Sequence, residues 1–187
     1  MNVSLLSLWL PILLSAVAVF GASFILQSVL RWWHRGDISP LPDEKAIADA
    51  LRPFRIPPGD YVTPWCDDPK DMGSPEFRAR AKAGPVGIFT IFPNRPFAMG
   101  TSLILWFLYG LVVSGMAGFA AGVALEPGAG TWVVFRIVSV VAFAGYAMGV
   151  FQSSIWWGRK WAYSIRTAVD GLIYAWITAG LFAWLWP

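Results

Sequence analysis

The sequence predicts an all-α integral membrane protein: four transmembrane helices, with a small α+β cytoplasmic insert between helices 1 and 2. Three observations carry this. The 187 residues are 57% hydrophobic and only 13% charged, against about 25% charged in an ordinary soluble domain. Mean hydropathy is +0.57. Four apolar runs approach or exceed the roughly 20 residues that cross a bilayer. They are Leu5–Leu30, Phe97–Leu125, Trp132–Ile155 and Tyr163–Trp186, and one long polar stretch separates the first from the second.

The chain is thus expected to divide into residues 1–35 (helix 1 with a juxtamembrane anchor), 36–96 (the insert) and 97–187 (a bundle of helices 2–4). The first run has no Lys or Arg ahead of it and exceeds the 7–15 apolar residues of a signal peptide, so it reads as a retained span. Span 1 contains Pro11 and ends at Arg31-Trp32-Trp33-His34-Arg35. In the insert, Ser39-Pro-Leu-Pro-Asp-Glu and Ser74-Pro-Glu read as helix starts, with Pro and acids in the first turn. Pro53 and Gly84-Pro85 stop those helices. Tyr61–Thr63 and the β-branched, aromatic Val86–Phe92 read as strands.

Charge sets the expected topology. Arg31 and Arg35 follow span 1, Arg80, Lys82 and Arg95 precede span 2, and Arg159, Lys160 and Arg166 mark the junction of spans 3 and 4. The opposite side has Arg136 and Glu126. By the positive-inside rule the insert is cytoplasmic and both termini are extracytoplasmic. Trp32, Trp33, Trp132, Trp156, Trp157, Trp161, Trp184 and Trp186 fall at span ends, as an aromatic belt requires. From Arg31 to Arg95 there are ten basic and nine acidic residues, so the pI of 9.2 reflects topology and no nucleic-acid partner is expected.

Small residues recur at helical spacing. Span 2 carries Gly110, Ser114, Gly118 and Gly122, span 3 Gly145, Gly149 and Ser153, and span 4 Thr167, Gly171, Ala175 and Ala179. Such faces let backbones approach closely. They suit a compact bundle within one chain or docking of another membrane protein. The loop Glu126–Trp132 between spans 2 and 3 is short, and its Gly128-Ala-Gly130 lacks the strand and lysine of a phosphate loop.

Absences narrow the chemistry. One His and one Cys exclude bis-His haem, HExxH zinc, a CxxC pair or a cysteine-held iron–sulfur cluster within the chain. No cofactor is expected. His34 reads as an interfacial anchor, and there is no GxSxG elbow for a hydrolase. Asp67, Asp68 and Asp71 spell DDxxD, which resembles the Mg²⁺-diphosphate motif of isoprenoid-diphosphate enzymes. Pro64 and Pro69 interrupt the helix that motif requires, and no second such motif follows. The alternative is a solvated acidic loop.

The most pointed feature lies in span 4. Arg166, Asp170, Tyr174 and Thr178 fall on one i, i+4 line, and Gln152 of span 3 is a candidate to join it. Ionisable groups inside a membrane segment are costly and suggest function. With Asp170 one turn, about 6 Å, beyond Arg166, a structural Arg166–Asp170 ion pair is expected. An ion or proton site is the alternative.

The closing DGLIYAWITAGLFAWLWP, with PPGDYVTP, SPEF and AGPVG in the insert, resembles an uncharacterised family of bacterial four-span inner-membrane proteins. The resemblance implies a bacterial inner membrane and carries no function with it. Three functional readings follow. The first is a non-enzymatic small subunit or assembly partner of a larger membrane complex, contacting lipids and other subunits or a second copy. The second is a small oligomeric carrier or channel-like component using Asp170. The third is a Mg²⁺-dependent lipid or isoprenoid-diphosphate enzyme using Asp67, Asp68 and Asp71.

Overall fold

The computed structural model describes residues 2–96 and 98–187. Met1, and Phe97 at the expected start of span 2, lie outside the described residues. In chain order the helices are α1 (Trp9–Phe24), α2 (Glu44–Leu51), α3 (Pro75–Ala83), α4 (Gly100–Ala124), α5 (Thr131–Tyr146), α6 (Phe151–Trp157) and α7 (Trp161–Trp184). The strands are β1 (Gly59–Thr63) and β2 (Gly87–Ile91). Residues up to Ile38 form one compact unit with Ala98–Pro187, and Ser39–Phe97 form a second.

The first unit holds four helical stretches long and apolar enough to cross a membrane: Leu5–Val29, Gly100–Ala124, Thr131–Trp157 and Trp161–Trp184. This is a multi-pass membrane protein. Span 1 joins a 3-10 turn (Leu5–Leu8), α1 and a π turn (Ile25–Val29). Pro11 sits in the first turn of α1, where its missing N–H breaks no helical bond. Span 3 is not the single helix its hydropathy implies. It stops at Tyr146, passes through a 3-10 turn (Met148–Val150) and resumes as α6. Two carbonyls at this break find side-chain donors. The Gly145 carbonyl accepts from the Tyr109 hydroxyl, and the Val150 carbonyl accepts from Ser164 Oγ at 3.3 Å. Membrane helices tolerate breaks where neighbours satisfy the freed backbone in this way.

The small-residue faces are largely consumed inside the unit. Gly110, Ser114, Gly118 and Gly122 are all buried on α4. Gly110 lies against Ala16 of α1, and a Cβ on Gly118 would come within 2.9 Å of the Phe182 ring of α7. A Cβ on Gly145 would meet Val113 at 2.8 Å, and one on Gly171 would meet Ala147 at 2.8 Å. The Gly122 carbonyl accepts from the backbone N–H groups of Asn2 and Val3, at 2.8 and 3.0 Å. Gly149 faces open space instead. Leu8, Val19, Val134, Val138, Ala179 and Phe182 fill the interior between these contacts.

In the second unit, local signals set each boundary. Asp43 caps α2 by accepting from the Ala46 N–H at 3.0 Å, and α2 gives way at Leu51, two residues before Pro53. Ser74 caps α3 by accepting from the Phe77 N–H at 3.1 Å, and Gly84 ends it at φ +64°. The strands pair antiparallel, with Tyr61 opposite Phe89 and Val62 opposite Ile88. None of the described residues from 39 to 96 is buried.

Candidate functional site

Asp170 is the buried acidic residue of the bundle among the described residues, 1% exposed. It lies on α7, nine residues after Trp161, or about 13 Å along the helix at 1.5 Å per residue. A carboxylate so deeply buried needs several donors from the protein itself. Regular helices have none to spare. The donors come from the end of span 1 and the turns that follow it.

Trp33 Nε1 donates to Asp170 Oδ1 at 2.9 Å. The Gln27 amide, on the π turn, donates to Oδ2 at 3.3 Å. His34 Nε2 lies 2.8 Å from the same Oδ2. The other ring nitrogen, Nδ1, lies 2.7 Å from Asp37 Oδ2. Asp37 Oδ1 in turn accepts from the Arg166 guanidinium. Lys160 Nζ closes the end of the segment by donating to the Gly36 carbonyl at 3.0 Å. Residues 27–37 are thereby fastened onto α7 through a line running Asp170–His34–Asp37–Arg166.

The Arg166–Asp170 pair expected from spacing does not form; Arg166 takes Asp37 instead. Helical side chains lean toward the helix N-terminus. An arginine one turn before an acid therefore points away from it, and acid-before-base is the better order. His34 is likewise not a simple interfacial anchor: it bridges two carboxylates, and its side chain is 15% exposed. Gln152 does not join the line. It is exposed on α6, and Gln27 occupies the role proposed for it. No local signal in the sequence links Asp170 to His34, which lies 136 positions away.

Beyond Asp170 the polar line continues. Tyr174 packs edge-on against Tyr146 at 5.7 Å and Trp106 at 5.9 Å. Trp106 Nε1 donates to Ser23 Oγ of α1 at 2.9 Å. The Tyr146 hydroxyl, with Ser114 and Thr178 beside it, donates to the Gly110 carbonyl at 3.5 Å. Thr178 turns back and donates to the Tyr174 carbonyl at 2.9 Å. The buried residues of α7 past that level are Ala179, Phe182 and Ala183. The polar line thus enters the bundle from one end and stops inside it.

His34, Asp37 and Asp170 do not converge on one point, because the imidazole stands between the carboxylates as a bridge. Among the described residues no cluster of three or more His, Cys, Asp or Glu is arranged to hold a metal ion. Asp67, Asp68 and Asp71 are used locally instead. Asp67 accepts from Trp65 Nε1 at 2.8 Å, Asp68 Oδ1 accepts from the Lys70 N–H at 2.9 Å, and the Asp71 N–H donates to the Asp68 carbonyl. They form the start of a 3-10 turn rather than one face of a helix.

Comparison with protein-family models, with curated proteins and with solved structures finds no match to the chain.

Proposed function

We propose that the chain is a non-enzymatic subunit or assembly partner of a larger membrane complex, in a bacterial inner membrane. One observation carries this reading. The Ser39–Phe97 unit buries none of its described residues, yet it displays Phe54, Trp65, Val86 and Phe92, the last 76% exposed. A unit of this size has little surface-to-volume advantage to begin with, and apolar groups left uncovered mark a surface that something else covers. Other subunits or a second copy supply that cover, membrane lipids surround the spans, and no nucleic acid is involved. The basic residues that flank the insert support a cytoplasmic insert, with both termini on the other side.

The carrier alternative, built on Asp170, is less well supported. A route across the bundle needs polar groups beyond Thr178, and α7 offers Ala179, Phe182 and Ala183 there.

The test is photocrosslinking in cells, with a photoreactive residue at Phe54 or Phe92. Protein adducts at both positions, and a mild-detergent particle larger than one chain, are expected. Adducts to lipid alone, together with a lone stable monomer, would overturn the proposal.

A further inference from the structure

The break in span 3 frees backbone donors as well as carbonyls. In an unbroken helix the Met148 N–H would donate to the Ala144 carbonyl, and the Gly149 N–H to the Gly145 carbonyl. At Ala147 the chain leaves helical geometry, with φ −121°, and the Gly145 carbonyl takes the Tyr109 hydroxyl instead. Among the described residues neither N–H finds an acceptor. The break is also uncovered. Met148 is 52% exposed, and a Cβ on Gly149 would meet nothing within 4 Å. Gly149 lies eight residues before Trp157, the end of the span, or about 12 Å along the helix. That is inside the hydrocarbon region, whose half-thickness is about 15 Å. Lipid tails offer no acceptor, and irregular backbone at this depth is not left facing them.

A second polar group shares this face. Gly149, Gln152 and Trp156 are all exposed, and their i, i+3, i+7 spacing puts them on one side of the helix. The side-chain hydrogen bonds of this stretch belong to Ser154 and Ser164, and Gln152 has none among the described residues. Helical side chains lean toward the helix N-terminus. For α6 that is the deeper end, so the Gln152 amide reaches toward the level of Gly149 and away from the interface at Trp157.

We propose that this face, formed by Met148, Gly149, Gln152 and Trp156, is where a second copy of the chain packs within the membrane. The carbonyl oxygen of each Gln152 side chain accepts from the open N–H groups at the break of the other copy. Self-complementarity selects a second copy as the occupant. Copies inserted alike are related by a two-fold axis along the membrane normal, so residues at one depth face each other. Within about one turn the face carries donors at Met148 and Gly149 and an acceptor at Gln152. The same patch thus supplies both halves of each contact, and the axis makes the contact twice. Gly149 has no side chain to hold the two backbones apart. The interface goes beyond the subunit proposal and does not rest on it, because that proposal is read from the insert.

The test uses the full chain, purified and reconstituted alone in phosphatidylethanolamine–phosphatidylglycerol vesicles. Single-molecule photobleaching over a range of lipid dilutions is expected to show a monomer–dimer equilibrium. In a Cys66→Ser background, oxidation should cross-link Gly149→Cys and spare Gly180→Cys, which is equally open on α7. Gln152→Leu removes both reciprocal contacts and should weaken the dimer about tenfold or more. Gly149→Leu obstructs the approach, does the same, and serves if Gln152→Leu does not fold. A chain that stays monomeric at every dilution would overturn the proposal. So would a Gly149→Cys disulfide that forms no faster than one at Gly180→Cys, or a dimer indifferent to every variant that folds. Protein adducts at Phe54 and Phe92 in cells, with no such dimer, would overturn this interface alone. Lipid adducts there, with the Gly149→Cys disulfide formed, would support it while counting against the reading of the insert.

Discussion

Gly171 gives the sharpest packing test. A Cβ added there would stand 2.8 Å from the Ala147 Cβ and 3.2 Å from both the Ala147 Cα and the Tyr146 carbonyl carbon. Carbon atoms settle at about 3.5–4.0 Å, so Gly171→Ala asks for roughly 1 Å of additional separation. Two of the three obstructing atoms are backbone and cannot rotate away. The strain falls on α7 and on the break in span 3, and overpacking of this kind costs about 1–3 kcal/mol. Gly180 lies on the same helix with nothing within 4 Å. Gly180→Ala meets no obstruction and gains up to about 1 kcal/mol from helix propensity. Reversible unfolding in mixed micelles, or steric trapping in bicelles, measures both. Gly171→Ala is expected to lower stability and Gly180→Ala to hold or raise it. Ala147→Gly added to Gly171→Ala should recover part of the loss, since it removes the nearest atom. A Gly171→Ala protein as stable as the parent would refute the close packing of α7 on the break.

Four further substitutions probe other levels. Asp170→Ala strips two neutral donors and the imidazole of their acceptor, and by the cost of breaking a buried pair it should lose about 3–5 kcal/mol. Asp37→Ala should lose much less in the same unfolding assay, because Arg166 is partly exposed and can reach the interface. Trp106→Phe keeps the aromatic cluster but removes the bond to Ser23, for about 0.5–1.5 kcal/mol. Ser74→Ala removes the cap of α3, and helix content by circular dichroism should fall with a cost of about 1 kcal/mol.

The legible parts of the sequence were those governed by local chemistry. A span has to present about 20 apolar residues, so four spans stand out, and the structure places each within a few residues of its run except for the Phe97 boundary, which lies outside the described residues. Asp43, Ser74 and Gly84 announce helix ends because a cap acts on its nearest backbone groups. Two features were not legible. The break after Tyr146 is compensated by Tyr109 and Ser164, which lie on other helices. The partners of Asp170 come from span 1, and an apparently adequate partner sat one turn away in Arg166. Rotamer direction, rather than spacing, decides that case.

The π turn that ends span 1 and the turns that follow it meet Asp170, and one cause accounts for both. Within a regular helix every interior N–H is committed to the carbonyl four residues back, so helices alone cannot solvate a buried carboxylate. Donors have to come from side chains carried on chain that can turn toward the acid. The π turn that ends span 1 carries Gln27, and the turns after it carry Trp33 and His34. Gly171 follows Asp170 directly, and its missing side chain admits the broken stretch of span 3 at Ala147. An apolar residue at position 170 would need none of these donors, and replacing buried ion pairs with apolar groups often leaves a protein more stable. Stability alone therefore does not explain why this bundle keeps the carboxylate. What the carboxylate does supply is one specific seat: Trp33, Gln27 and His34 all converge on it, and an apolar side chain there would leave those polar groups without a partner.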